Sequence, residues 1–459
     1  MAAGAIDWQR DPQAAFAQAR AAGKPLLLYW GAAWCPPCNR IKSVVFSRPD
    51  FIDLADSFVA LEIDGDSIGA QRLAAQFKLR SYPTLVVFRP DGAEVTRLPC
   101  ELDGKRLVHI LALALNARFT AAESLSVALS RERALSDDEW RLLSYYSWDT
   151  DERQLLKNLD FAAIVASLTR ACTLADAVVR LEWLGLHAAA MAGETGLDQA
   201  AAIRRLEATL CDNEAVCLQL DIVIGYALDL VRFLTAPGST ARAQLIASWS
   251  GALVSLEDDD TVNIGDRLSA LRTRVRLARL GAAEPQLLAL ASARVAEVTA
   301  QVQAPALRHT VVVTGAGVLS DAGLVDEAQQ LLRAELAQSH APYFLLHSLA
   351  ALAKRRGEPA AALHCYEQAW ADAVGGATRL QWGATYLLAL LDLAPQDRAR
   401  IERCAAELAA EFAALPDAAF QRNRTQAARV VKALSAVEDA GAQASALLVA
   451  LRQLLLNAS

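Results

Sequence analysis

The chain has 459 residues, enough for two or three domains of about 150 residues each with cores of their own. Hydrophobic residues make up 54% and charged ones 21%, which excludes a disordered chain, and no apolar run approaches the ~18 residues that a membrane helix needs. The net charge of −7 comes without a basic cluster, which argues against a nucleic-acid partner. Residues 1–118 carry 14 Lys and Arg against 12 Asp and Glu, unlike the acidic remainder, and this points to two pieces joined near residue 118.

The opening MAAGAIDW lacks the charged and apolar regions of a secretory leader. The compartment expected is the periplasm where a leader has been removed ahead of this sequence, and the cytoplasm otherwise. The eight cysteines do not decide, because paired-cysteine redox motifs occur in both. Asp11-Pro12 before AAFAQARAAG gives a cap, a proline at the first helical position and a stop at Gly23. LLLYW, residues 26–30, is a continuous apolar run of the kind buried on both faces of a sheet. A helix is expected from Cys35 to about Val45, restarting after Ser47-Arg48-Pro49. FVALEID (58–64) reads as a second buried strand, SIGAQRLAAQF as a helix, and PTLVVF as a third strand that turns at Pro90-Asp91-Gly92 into AEVTRL. A helix over 104–116 closes the unit, giving a mixed central sheet flanked by helices.

Trp34-Cys35-Pro36-Pro37-Cys38 follows the first strand directly. That placement puts the sulfur of Cys35 at a helix N-terminus, where unpaired amides and the helix dipole favour an anion. Cys38, one turn further in, is shielded. Dithiol chemistry needs this asymmetry: an exposed thiolate, here that of Cys35, attacks a substrate disulfide, and a neighbour within reach resolves the mixed disulfide. A zinc half-site is the alternative for such a pair. It lacks a second pair at metal spacing, and His109 is the sole histidine of the first 118 residues, so no metal is expected. Trp30 and Trp34 also serve as fold residues. Cys100 reads as a spectator thiol, with a regulatory disulfide as the alternative.

WCPPC after a buried strand, Ser81-Tyr82-Pro83-Thr84 at the head of a later strand, and the hairpin-helix ending together resemble the thioredoxin fold. YWGAAWCPPCNRIKSVVF with FVALEIDGD is similar to the thioredoxin-like domains of bacterial thiol:disulfide interchange proteins. The resemblance covers about a quarter of the chain. It implies a thiol:disulfide oxidoreductase with Cys35 as nucleophile and Cys38 as resolving thiol, its redox-active disulfide being Cys35–Cys38 and no further cofactor being needed. It also implies a cis Pro83 against the sulfurs, which makes Trp34, Tyr82 and Pro83 the substrate-facing set. The sequence departs from the family in two ways. The family's buried aspartate and its lysine fall near Leu28 and Ala60 here, so Glu62 is the nearby carboxylate left to act as a proton relay. Pro36 replaces the commoner glycine, removing one amide and stiffening the loop.

From Phe119 onward apolar residues recur every three and four, and strand-like alternation is absent. Ser136-Asp137-Asp138-Glu139 is a capping box that starts a helix at Asp137. Trp140, Tyr145, Tyr146 and Trp148 form either a packing plug or a peptide-binding surface facing the redox pair. Gly323 and Gly357, Ala328 and Ala362, and Leu332 and Tyr366 each lie 34 residues apart, and Ala316, Ala350 and Ala384 repeat at the same step. This spacing resembles the tetratricopeptide repeat, clearest over 306–412, and implies an all-α helical-repeat domain over 119–459. VVVTGAGVLSDAG (311–323) mimics a dinucleotide-binding turn, but Ser320 stands at the third glycine position and the register puts the stretch in a helix. Glu257-Asp258-Asp259-Asp260 reads as a solvated loop capping the next helix. Cys211 and Cys217 are close enough to bridge if 212–214 is a turn, and His347 and His364 sit on facing repeat helices without a ligand pattern.

The expected protein is thus a redox domain (1–118) joined to a helical domain that docks a partner or substrate protein. Its partners are a protein bearing a disulfide or thiol and a thiol protein that donates or accepts electrons, with no membrane span; the oligomeric state is left open. Rival readings are a redox-gated holdase or assembly factor, resembling chaperedoxins, a degenerate binding domain, and copper handling by Cys35 and Cys38. With proline at both intervening positions, the potential of the pair is expected to lie above thioredoxin's ~−270 mV, between glutaredoxins and protein disulfide isomerase. A glutathione redox titration checks this; a value more negative than thioredoxin's contradicts it.

Overall fold

The computed structural model describes residues 6–151, 154–281, 285–437 and 441–457. The N-terminal elements alternate: α1 (Pro12–Ala22), β1 (Leu26–Gly31), α2 (Pro36–Val44), α3 (Pro49–Ala55), β2 (Val59–Asp64), α4 (Ala70–Gln76), β3 (Thr84–Phe88), β4 (Glu94–Leu98) and α5 (Gly104–Leu115). The local signals act as read. Asp11 caps α1 through the amides of Gln13 and Ala14, and Gly23 ends it in the left-handed region at φ 63°. All six residues of β1 are buried. The sheet order is β2-β1-β3-β4, with β3 and β4 antiparallel and Leu85 opposite Leu98. One start differs from the sequence reading. Gly69 adopts φ 80°, which an L side chain resists, so the helix expected from Ser67 begins at Ala70.

Beyond residue 118 the described residues form helices only. These are α6 (Ala121–Ser130), α7 (Asp137–Ser144), α8 (Phe161–Ala171), α9 (Ala175–Ala192), α10 (Gln199–Leu210), α11 (Asn213–Leu218), α12 (Leu220–Gly225), α13 (Ala227–Leu234), α14 (Thr240–Asp258), α15 (Ile264–Ala278), α16 (Pro285–Gln301) and α17 (Pro305–Ala322), with one 3-10 turn at Trp148–Thr150. They continue as α18 (Val325–Glu335), α19 (Pro342–Arg355), α20 (Pro359–Asp372), α21 (Gly376–Leu393), α22 (Arg398–Ala414), α23 (Gln421–Ser435) and α24 (Ala442–Asn457). Among the described residues no helix is long and apolar enough to cross a membrane.

Packing groups these elements into two compact units that do not follow chain order. One holds the chain up to Tyr29, Asn39–Glu62 and Pro83–Leu324; the other holds Trp30–Cys38, Ile63–Tyr82 and Val325–Ser459. In the first, Leu27 and Tyr29 pack with Ile41, Leu85, Val87 and Ile110, and the same core takes in Leu142 and Tyr145. Core packing of the α/β part therefore runs past residue 118. The Ser147 amide donates to the Arg97 carbonyl at 2.9 Å, and the buried Arg97 guanidinium reaches Glu94 and the Thr150 carbonyl. Trp140, Tyr145, Tyr146 and Trp148 are all buried, which makes them a packing plug and not an open peptide surface.

The helical part of this unit corrects two expectations. Glu257 and Asp258 complete the last turn of α14 and do not lie in a loop; Glu257 is buried against Arg274, and Asn263, not the acidic run, caps the next helix. Cys211 and Cys217 are separate thiols, one just after α10 and the other inside α11. The dinucleotide mimic is helical, since residues 311–322 belong to α17 and Gly323 closes it at φ 89°. Most consequential is Arg40 in α2, whose Nε donates to Asp266 of α15 at 2.6 Å while Nη1 and Nη2 reach the carbonyls of Cys100 and Leu102.

In the second unit, α19 and α20 pack as a hairpin across Gly357, a left-handed stop at φ 72°. A Cβ on Gly383 would lie 2.7 Å from the Trp370 ring, so glycine sets how closely α21 approaches α20.

Both partners of the Arg40–Asp266 pair are about 8% exposed, so removing one leaves a buried, uncompensated charge. Asp266→Ala is expected to lower stability by ~3–5 kcal/mol in urea unfolding, and the double change Arg40→Met, Asp266→Leu to recover most of that loss. Equal instability of the single and double variants would refute this account.

Candidate redox site

The end of β1 delivers the motif. The Cys35 amide donates to the Ala32 carbonyl at 3.2 Å, and α2 begins at the next residue. Pro36 and Pro37 occupy its first two positions and have no N–H, so the first amide that the helix offers is that of Cys38. It donates to Cys35 Sγ at 3.3 Å, as a capping side chain is served at a helix start. The geometry therefore joins the two cysteines directly. The expectation of an open Cys35 does not hold in this arrangement, since Cys35 is 3% exposed and Cys38 1%.

The side chains expected to face substrate are also engaged. Trp34 Nε1 donates to Asp66 Oδ2 at 2.8 Å, and its ring stacks on Phe344 of α19 with centroids 5.7 Å apart. Tyr82 stacks on Trp30 and accepts a hydrogen bond from Gln71 Nε2 at 3.1 Å. Burial raises the Tyr82 phenol well above its usual range, with the Arg422 cation opposing. Gly65 makes room for that ring, since a Cβ there would fall 2.1 Å from the Tyr82 oxygen. Pro83 is buried at the head of β3. Glu62 has both oxygens occupied, by Lys42 at 2.6 Å and Arg10 at 3.4 Å.

Asp66 is the residue that sequence reading missed. Besides Trp34 it accepts from Thr378 Oγ1 at 2.7 Å and Arg422 Nη1 at 3.2 Å, and the Arg422 guanidinium lies 4.8 Å from the Trp34 ring and 5.5 Å from that of Tyr82. The one local signal was an aspartate in the turn after β2; nothing in the sequence tied it to arginine 356 positions away.

Residues 7–90 match the thioredoxin-like family. Over 102 residues the chain is 36% identical to thiol:disulfide interchange protein DsbD 1 of Pseudomonas aeruginosa, covering 21% of this chain and 17% of that protein. Over 75 residues it is 32% identical to a thioredoxin of Mycolicibacterium smegmatis, covering 16% of this chain and 64% of the relative. A solved thioredoxin from Thermus thermophilus aligns at 25% identity over 24% of this chain and 86% of that one, with a TM-score of 0.22. The chain thus spans a minor part of the interchange protein that it matches. Its N-terminal α/β part has the thioredoxin-like fold, followed by an all-α region.

His347 lies in the same unit as the motif, against the rings of Trp382 and Tyr366. Burial, with Arg429 adding to it, lowers its pKa to about 4. Unfolded His347 takes up a proton near pH 6.5 while the folded residue resists, so stability present above pH 6.5 is lost as pH falls toward 4. The loss is expected to approach ~2–3 kcal/mol, read as a falling urea midpoint between pH 7 and pH 4.5, and His347→Leu should flatten it. An identical pH profile in that variant would show that other groups carry the effect.

Proposed function

We propose that the protein is a thiol:disulfide oxidoreductase acting on protein disulfides through Cys35 and Cys38. The observation that carries this reading is the Cys38 amide donating to Cys35 Sγ at the start of α2, which favours negative charge on that sulfur. In the reducing direction, Cys35 thiolate attacks one sulfur of a substrate disulfide, forming a mixed disulfide and releasing the other sulfur as thiolate. Cys38 thiolate then attacks Cys35, closing the Cys35–Cys38 disulfide and releasing the second substrate thiolate, so that two electrons pass to the substrate. A thiol protein of matched potential resets the pair. The match to a thiol:disulfide interchange protein supports this chemistry, and the resemblance to bacterial proteins of that class favours a periplasmic setting. The helical region, which holds the α19–α20 hairpin across Gly357, is proposed to be tetratricopeptide-like and to dock the partner protein.

The rival reading carried from the sequence is a redox-gated holdase. The first reading predicts that Cys35→Ser abolishes insulin disulfide reduction and that Cys38→Ser accumulates mixed disulfides with partner proteins. Suppression of client aggregation that survives Cys35→Ser, without any disulfide turnover in the unaltered protein, would replace it with the second.

A further inference from the structure

A thiolate must line up with a disulfide at bonding distance to exchange with it, and sulfurs as buried as Cys35 and Cys38 offer no such approach. Side chains from the chain's own C-terminal helices lie over the loop that carries them. Phe344 of α19 stacks on Trp34, Trp382 of α21 meets the same ring edge-on at 6.4 Å, and Arg422 of α23 covers it from a third element. His340, just before α19, bonds the Ala33 carbonyl at 3.0 Å. One carboxylate ties the polar side together: Asp66 accepts from the Trp34 indole, the Thr378 hydroxyl and the Arg422 guanidinium.

We propose that α19, α21 and α23, anchored on Asp66, form a cover that holds the WCPPC loop closed, and that opening it gates access to Cys35. The purpose of the gate rests on the oxidoreductase reading; its existence does not. The contacts are of a kind that can open. They comprise a few aromatic pairs and one charged hub, and the closed state leaves the buried Trp382 Nε1–H without a hydrogen-bond partner, a cost that solvent or an arriving peptide carbonyl removes. Asp66 and Arg422 are positioning residues here: they act on Trp34, and through it on the loop.

The test uses the full-length reduced protein. Iodoacetamide labelling of Cys35, followed by peptide mass spectrometry, is compared in the unaltered chain, Asp66→Asn, Arg422→Met and Phe344→Ala, with buried Cys404 of α22 as the internal control for unfolding. Expected is a tenfold or greater rise in the Cys35 rate in each variant, with Cys404 unchanged. An unchanged Cys35 rate overturns the proposal, and so does a parallel rise at Cys404, because exposure then comes with global unfolding. Should the variants fold poorly, hydrogen exchange on the unaltered protein decides: amides of residues 31–39 exchanging well before those of α22 support the cover, and exchange together overturns it. Faster labelling without insulin reduction supports the cover while refuting the oxidoreductase reading.

Discussion

The arrangement around the redox loop depends on one carboxylate. Asp66 stands in the turn after β2 and gathers an indole N–H, a hydroxyl and a guanidinium. Each hydrogen bond to a charged group contributes about 1.5–3 kcal/mol, and the Asp66 side chain is only 9% exposed, so the hub stands only while its donors stay together. Gly375 completes the fit, since a Cβ there would fall 2.5 Å from that of Asp66. The rings of Trp34 and Tyr82 are thereby held under a single cation.

The same physics recurs in the other compact unit. Arg40 follows the motif by two residues and is held by Asp266 and two backbone carbonyls, and Arg180 is held by Asp221 and the Ser144 carbonyl. Buried pairs of this kind add little net stability relative to apolar residues of the same shape, because desolvation offsets much of the attraction. Their effect is on specificity: a guanidinium fork accepts few geometries, so α2 is fixed against α15 in one register and not merely pressed onto it. In both units, charges on the α/β part find their complements far along the helical part.

That division explains why the thiols are buried although the motif is of a type expected to be open. A helix N-terminus with prolines at its first two positions has one amide to offer, and Cys35 takes it. This electrostatic arrangement is local and is already set by WCPPC following a buried strand. Access to the sulfur is not local, because Phe344, Trp382 and Arg422 come from three separate helices.

What the sequence by itself determined follows the reach of its signals. Asp11, Gly23 and the Ser136–Glu139 capping box marked helix ends, the apolar run LLLYW marked β1, and the 34-residue glycine step marked helix stops, because caps, strand burial and left-handed turns are decided within a few residues. Where a local rule misleads, a neighbour overrides it: the acidic run at 257–260 has the composition of a solvated loop, yet Arg274 draws Glu257 inside. Only the tertiary structure decided the partners of Asp66 and Arg40, 356 and 226 positions away, and the burial of Cys35. A charged residue carries the same propensity whether it faces water or a distant counter-ion, so its partner is set by packing and leaves no mark in the local sequence.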